Sequence, residues 1–379
     1  MLKLFKESLN IKEETALKTY KYRTVDRSIL STLFFKKYTA WVLKHTPAYL
    51  APNTITMIGY FSLLINFLVV IIFDQNLRNG FPLLSLFSAI CLVLYFTADN
   101  IDGAQARKLK ECSPMGQMFD HGVDSCCVFF CMISLISSLG LGLTYTSFML
   151  IFCVMSGFYL AGLEEKFTGV FELGAVSGPT EGLVFIFILH LLAAFSRQTI
   201  RRAISAVTFS PYLVRNVNFP NISPLFILLV VISCYNILTS YIKCVNLSDI
   251  KKKSVVAKSY VSIILSFIPM FTLHNLFMST PCLQMLNMII FAQCFSLKYI
   301  EEIFSNIINS SKRKNNFFFF LYLCFGMSSV FYDVRKISTC LYLYLLISTF
   351  HYIYNVNLLI GICKRALKIN VFTLNKKIK

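Results

Sequence analysis

Residues 99–124 read DNIDGAQARKLKECSPMGQMFDHGVD. They place four aspartates, one histidine, one arginine and three glycines within 26 positions of a chain that holds only 18 acids in 379 residues. Asp99 and Asp102 are three apart, and Asp120 and Asp124 are four apart, so each pair shares one face of a helix. At the facing ends of two antiparallel helices the pairs converge. Four converging carboxylates repel one another, and burial at membrane depth makes this worse, so such a set persists when cations neutralise it. Oxygen-only ligands select a hard ion, Mg²⁺, Mn²⁺ or Ca²⁺, over zinc. Gly103, Ala106, Gly116 and Gly122 lack bulk, so helices and substrate can approach closely. Arg107 can meet phosphate oxygens that a metal alone would leave unpaired. Carboxylates, a divalent metal and an arginine are the parts of a phosphoryl-transfer site. His121, beside Asp120, is the residue type suited to taking a proton from an alcohol. The plain alternative is a solvated loop with chance spacing. The neighbouring KLKEC shows such ordinary loop charge, whereas the aspartates fall at helical intervals.

The elements that must position these residues are transmembrane. The chain is 56% hydrophobic and 14% charged, against about 25% charged for a soluble domain. Apolar runs long enough to cross a bilayer recur at 55–73, 81–98, 119–141, 144–163, 182–196, 223–242, 256–277, 284–304, 315–333 and 338–361. The expected fold is all-α, a polytopic transmembrane helical bundle of about ten spans. FFKKYTAWVLKHTPAYL, which contains the only tryptophan, Trp41, predicts an N-terminal interfacial amphipathic helix. Residues 1–54 read as a cytosolic N-terminus with that helix, 55–242 as the catalytic membrane core, and 243–379 as additional helices with a cytosolic tail.

The net charge of +18 does not indicate nucleic acid. The basic residues gather at the termini and at 107–110, 251–253 and 312–314. With a cytosolic N-terminus all five segments fall on the cytosolic side, against anionic lipid. The loop with Arg197, Arg201 and Arg202 falls opposite and breaks the pattern. The 13 cysteines, none spaced C-x-x-C, read as packing residues. The last four residues, KKIK, match a dilysine retrieval signal to the endoplasmic reticulum.

The 99–124 stretch resembles the signature of the CDP-alcohol phosphatidyltransferase family, D-x2-D-G-x2-A-R-x8-G-x3-D-x3-D. Asp99, Asp102, Gly103, Ala106, Arg107, Gly116, Asp120 and Asp124 meet it without a gap. FDHGVDS, APNTITMIGY at 51–60 and LEEKFTGVFELGAVSGPTEG at 163–182 look like the choline/ethanolamine phosphotransferase branch. The resemblance implies that a diacylglycerol hydroxyl attacks the phosphate next to choline or ethanolamine in CDP-choline or CDP-ethanolamine, with CMP leaving. It implies Mg²⁺ or Mn²⁺ held by Asp99, Asp102, Asp120 and Asp124. Asn53 and Arg107 would contact the CDP moiety, with Gly103 allowing its approach. His121 is implied as proton acceptor, a role given to the residue at Asp124 in the wider family. A homodimer is also implied, while the loop topology puts the site on the cytosolic face and the KKIK tail points to the endoplasmic reticulum, with the Golgi membrane as the other location. One position departs. Ala104 stands where the branch usually carries lysine, a loss that leaves the metal positions intact and would alter the nucleotide contacts. Glu164, Glu165 and Glu181 follow in the next loop on the same side, where a carboxylate could pair with a cationic head group and Phe167 could face it. Two rivals remain: a related phosphotransferase with another acceptor, and a cation transporter. The transporter would spread acids through several spans, whereas here they sit in one short segment beside an arginine.

Overall fold

Proline opens several of the long helices. Pro52, Pro82, Pro114 and Pro281 each stand in a first turn, where the missing N–H is an orphan anyway and the fixed φ suits the helix. A computed structural model of the chain describes residues 9–176, 178–200, 224–247, 253–276, 280–310 and 334–374. Its helices are α1 (Ile11–Thr19), α2 (Lys36–His45, continuing a π-turn at Ser31–Phe35), α3 (Pro52–Phe73), α4 (Pro82–Leu109), α5 (Pro114–Leu139), α6 (Tyr145–Thr168), α7 (Leu183–Phe195), α8 (Pro224–Leu247), α9 (Lys253–Leu276), α10 (Pro281–Ile307) and α11 (Val334–Leu367). Two three-residue strands, β1 (Thr24–Asp26) and β2 (Phe171–Leu173), pair in parallel with Thr24 opposite Phe171.

Among the described residues, eight helical stretches are long and apolar enough to cross a membrane: all of the expected spans except 256–277 and 315–333. Residues 256–276 are helical within α9 but carry only the shorter apolar segment Val256–Leu265. The expected span at 315–333 lies outside the described residues, as do 312–314, Arg201, Arg202 and the KKIK tail. The fold is therefore an all-α polytopic bundle, and the short β1–β2 ribbon is a local addition to it.

α3 shows how the bundle sits in lipid. Ile58, Phe61, Ile65, Leu68 and Ile72 form an exposed apolar stripe, while Ile55, Gly59, Leu63, Asn66, Phe67 and Val70 are buried. A helix apolar on both faces belongs in a membrane rather than in water. α3, α4 and α5 pack on one another, and α7 packs on α4. α10 packs on α5, α6 and α11, and α8 packs on α6. The additional C-terminal helices thus press on the motif helices. A Cβ placed on Gly122 would lie 3.1 Å from Ile300 of α10.

Contacts between helix ends define two faces of the bundle. At one, Lys166 pairs with Glu302, Lys243 with Glu164, and Asn53 with the backbone of Val371. At the other, Asp74 accepts hydrogen bonds from the Arg78 and Asn79 amides and from Ser137. The α4–α5 turn lies at the first face. α2 lies beside that end of α4, through Tyr38–Thr97 at 2.8 Å and Lys108 Nζ to the Leu43 carbonyl at 3.1 Å. Leu33, Phe34 and Trp41 remain exposed, as expected of an interfacial helix.

Candidate active site

The 110–113 turn fixes the antiparallel geometry. Lys110, at φ 59°, ends α4 in the left-handed region. The Glu111 amide reaches back to the Ala106 carbonyl at 2.9 Å, which satisfies a terminal carbonyl of the helix. Ser113 then caps α5, its Oγ accepting from the Gly116 amide at 3.0 Å. With so short a connection the two helices run back to back. Asp99 meets Asp124, and Asp102 meets Asp120, carboxyl against carboxyl.

Asp99, Asp120 and Asp124 can each offer an oxygen within 4.8 Å of the others. Asp102 is buried, with its Oδ2 accepting from Thr56 Oγ1 at 2.5 Å. Asp124 Oδ1 accepts from the Tyr95 hydroxyl at 2.8 Å. Asp120 Oδ1 is buried with no hydrogen-bond partner. Among the described residues none of the four forms an ion pair. A buried carboxylate oxygen without a donor, inside a set of acids without a base, is what a hard cation requires of its ligands. The residues fit a divalent metal.

A cavity of about 560 Å³ opens onto the cluster. Asp102, Asp120, His121, Asn53, Thr56, Gly103 and Arg107 all line it. Arg107 is exposed, and its Nη1 lies 3.4 Å from where a Cβ on Gly103 would be. A side chain at 103 would therefore crowd the guanidinium. Asn53 Nδ2 donates to the Val371 carbonyl at 2.8 Å. The His121 imidazole is held between two aromatic rings, Tyr22 edge-on at 5.8 Å and Phe171 at 5.1 Å. Its Nδ1 is buried without a hydrogen-bond partner.

The structure thus gathers eight of the nine expected site residues around one place. Glu181 is the exception. It does not line the cavity. Its carboxylate accepts from Ser28 Oγ at 2.7 Å and from the Leu30 amide at 2.9 Å, so it anchors the N-terminal segment instead. Glu165 accepts from Tyr20 at 3.0 Å and Gln117 at 2.9 Å, and Glu164 pairs with Lys243 at 2.7 Å. Burial and the Glu165 carboxylate push the Tyr20 phenol up, so it remains a donor.

Other lining residues were not expected. Tyr20, Lys21, Tyr22 and Thr24 enter from the N-terminal segment, and Asn370, Val371, Thr373 and Leu374 from the C-terminal one. No local signal points to either. Thr56, which lines the cavity, and Tyr95, which only touches Asp124, are different: Tyr95 stands four before Asp99, and Thr56 lies one turn into α3, three residues after Asn53.

The CDP-alcohol phosphatidyltransferase profile matches residues 49–214. The chain is 34% identical over 303 residues to a CDP-diacylglycerol–serine O-phosphatidyltransferase of Encephalitozoon cuniculi, covering 78% of each chain. It is 34% identical over 186 residues to choline/ethanolaminephosphotransferase 1 of Saccharomyces cerevisiae, covering 48% of each. Cholinephosphotransferase 1 of the same yeast is 34% identical over 186 residues, covering 48% of this chain and 47% of the relative. The match therefore spans about half the length of the yeast relatives.

Proposed function

The chain belongs to the CDP-alcohol phosphatidyltransferase family, and on that premise we propose that it transfers phosphocholine or phosphoethanolamine from CDP-choline or CDP-ethanolamine to diacylglycerol. The acceptor oxygen forms a new bond to the phosphorus that carries the head group. The bond from that phosphorus to the bridging oxygen breaks, CMP leaves with the oxygen, and the hydroxyl proton is released. The products are CMP and phosphatidylcholine or phosphatidylethanolamine.

The observation that carries the reading is the uncompensated set of Asp99, Asp102, Asp120 and Asp124, of which Asp102 and Asp120 line the cavity. These residues would hold Mg²⁺ or Mn²⁺, which neutralises the carboxylates and draws charge from the phosphate oxygens when bound. Thr56 and Tyr95 fix the Asp102 and Asp124 carboxylates. Arg107 meets the diphosphate from the cavity wall, where it has no acidic partner among the described residues. Asn53 and Gly103 border the nucleotide's place. His121, gripped by Tyr22 and Phe171, accepts the proton of the attacking hydroxyl. Glu181 acts at a distance by tying down residues 28–30. The site faces the cytosol of an endoplasmic reticulum or Golgi membrane, where soluble CDP-alcohols reach it and diacylglycerol enters from the bilayer. The enzyme works as a homodimer.

A second reading rests on the Encephalitozoon cuniculi relative, which the chain matches over 78% of both lengths. There the serine hydroxyl attacks the phosphorus bearing the diacylglycerol of CDP-diacylglycerol, and CMP again leaves. One assay separates the two. Purified protein with Mg²⁺ or Mn²⁺ is offered CDP-choline or CDP-ethanolamine with diacylglycerol, and separately CDP-diacylglycerol with serine. Radiolabelled lipid product in the first set alone supports the first reading. Product only with serine replaces it with the second.

A further inference from the structure

The family profile ends at residue 214, yet one wall of the cavity is made more than 150 residues later. α11 ends at Leu367, and Lys368 takes a left-handed conformation at φ 55°. That turn sends residues 369–374 back across the bundle end. Three contacts dock the segment. The Val371 carbonyl accepts from Asn53 Nδ2 at 2.8 Å, and the Phe372 carbonyl accepts from Thr54 Oγ1 at 3.3 Å. The Phe372 ring stands edge-on to Phe119 at 5.6 Å. Both hydroxyl and amide donors belong to the first turn of α3, and Phe119 precedes Asp120 on α5. The segment is therefore fastened to the two helices that flank the cavity, and Asn370, Val371, Thr373 and Leu374 face into it.

We propose that residues 370–374 are a substrate-binding element, the wall against which the cytidine nucleotide is held. This rests on the reading of the cavity as a CDP-alcohol site. Asp102, Asp120 and His121 line the cavity together with Tyr22, whose ring stands against His121. The reacting phosphate belongs there, and the rest of the nucleotide extends past Asn53 and Gly116 to the docked segment. A Cβ on Gly116 would lie 3.8 Å from Asn53 Oδ1, so this passage is bordered on its other sides by Asn53 and α5. Phe372 itself is 52% exposed and absent from the lining. Its ring is an anchor, and its removal frees the wall without touching the nucleotide's place.

The test uses full-length protein in lipid nanodiscs and measures CDP binding by calorimetry, together with the KM of each substrate. Phe372→Ala should weaken CDP binding about three- to tenfold, the worth of one aromatic pair, and raise the KM for the CDP-alcohol while leaving that for the lipid acceptor unchanged. Thr373→Trp, which fills the cavity from the wall and leaves the anchor in place, should weaken CDP as well. Unchanged CDP affinity in both variants overturns the proposal. So does tighter binding in Phe372→Ala, which would make the segment a competitor for the site. If the unaltered protein does not bind CDP at all, the nucleotide reading of the cavity fails first and the proposal falls with it.

Discussion

Two groups of acids lie near the same face of this bundle, and they are treated in opposite ways. Glu302 on α10 is buried and paired with Lys166 of α6, with side chains 5% and 14% exposed. Glu164 is paired with Lys243 of α8, and Glu172 with both Lys243 and Arg27. Asp102 is as deeply buried as Glu302, Asp99, Asp120 and Asp124 are half-buried, and among the described residues no lysine or arginine pairs with any of the four. The chain has 36 basic residues, so partners were not scarce. Breaking a buried pair leaves a charge that is expensive to keep, and the aspartates would carry that penalty four times over. Where acids serve to join helices, this fold supplies a cation from its own sequence. Where they are left without one, the proposed metal site would take its cation from outside.

The strongest way to break this comparison is to remove that outside cation. Chelation with EDTA should reduce turnover to background, a loss of at least about 10³-fold, and Mg²⁺ or Mn²⁺ should restore it. Asp99→Ala, Asp102→Ala and Asp120→Ala should each reproduce the loss while the protein stays in the membrane. Full activity in chelator would mean that the aspartates are compensated in some other way. His121→Ala comes next. A positioned base contributes roughly 10²- to 10⁴-fold, so turnover should fall in that range while CDP binding survives. If His121→Ala keeps near-normal turnover and Asp124→Asn loses it with metal affinity intact, Asp124 is the proton acceptor.

The difference between the two groups also explains what could be read from sequence. The aspartate hairpin was legible because it is local. Its spacing, glycines and turn all lie within 26 residues, and the helical period dictates which side chains meet. The spans were legible because lipid imposes length and apolarity on each one separately. Tyr95 was within reach of the same helical arithmetic, four residues before Asp99. Glu181 was not. It stands as one more acid near the motif, and only the fold reveals that its partners are Ser28 and Leu30, some 150 positions earlier. The parallel pairing of TVD with FEL has no alternating pattern to announce it, yet it brings residues 20–24 to the cavity. Asn53 was expected to contact the CDP moiety and does line the cavity, but its bond to Val371 spans 318 positions. Partners separated so far leave no periodicity behind.

The paired acids offer the opposite test. Glu302→Gln or Lys166→Met leaves one charge buried without its partner, which should destabilise the protein by about 3–5 kcal/mol. Thermal unfolding in detergent would register this as a large drop in midpoint. The folded fraction should retain its turnover, because neither residue lines the cavity. The double change Lys166→Met with Glu302→Met removes both charges and should recover much of the loss. A midpoint that falls further in the double variant would show that the pair does more than neutralise itself.

The smallest effect belongs to Lys243. It reaches Glu164 at 2.7 Å and Glu172 at 3.4 Å, and so ties α8 to the end of α6 and to β2. Its side chain is 39% exposed and those of Glu164 and Glu172 are 25% and 35% exposed, so water already shares the charges. Pairs of this kind are worth about 0.2–1 kcal/mol, and Lys243→Ala should shift the unfolding midpoint by no more than that amount implies. The strand pairing of β2 does not depend on this lysine, since it is made by backbone bonds to residues 23–27. Turnover should therefore stay within about twofold of the unaltered protein, a change of about 0.4 kcal/mol in the barrier. A much larger loss of turnover with normal stability would give the lysine a part in the site. It would also blur the line between acids paired for structure and acids left open for a metal.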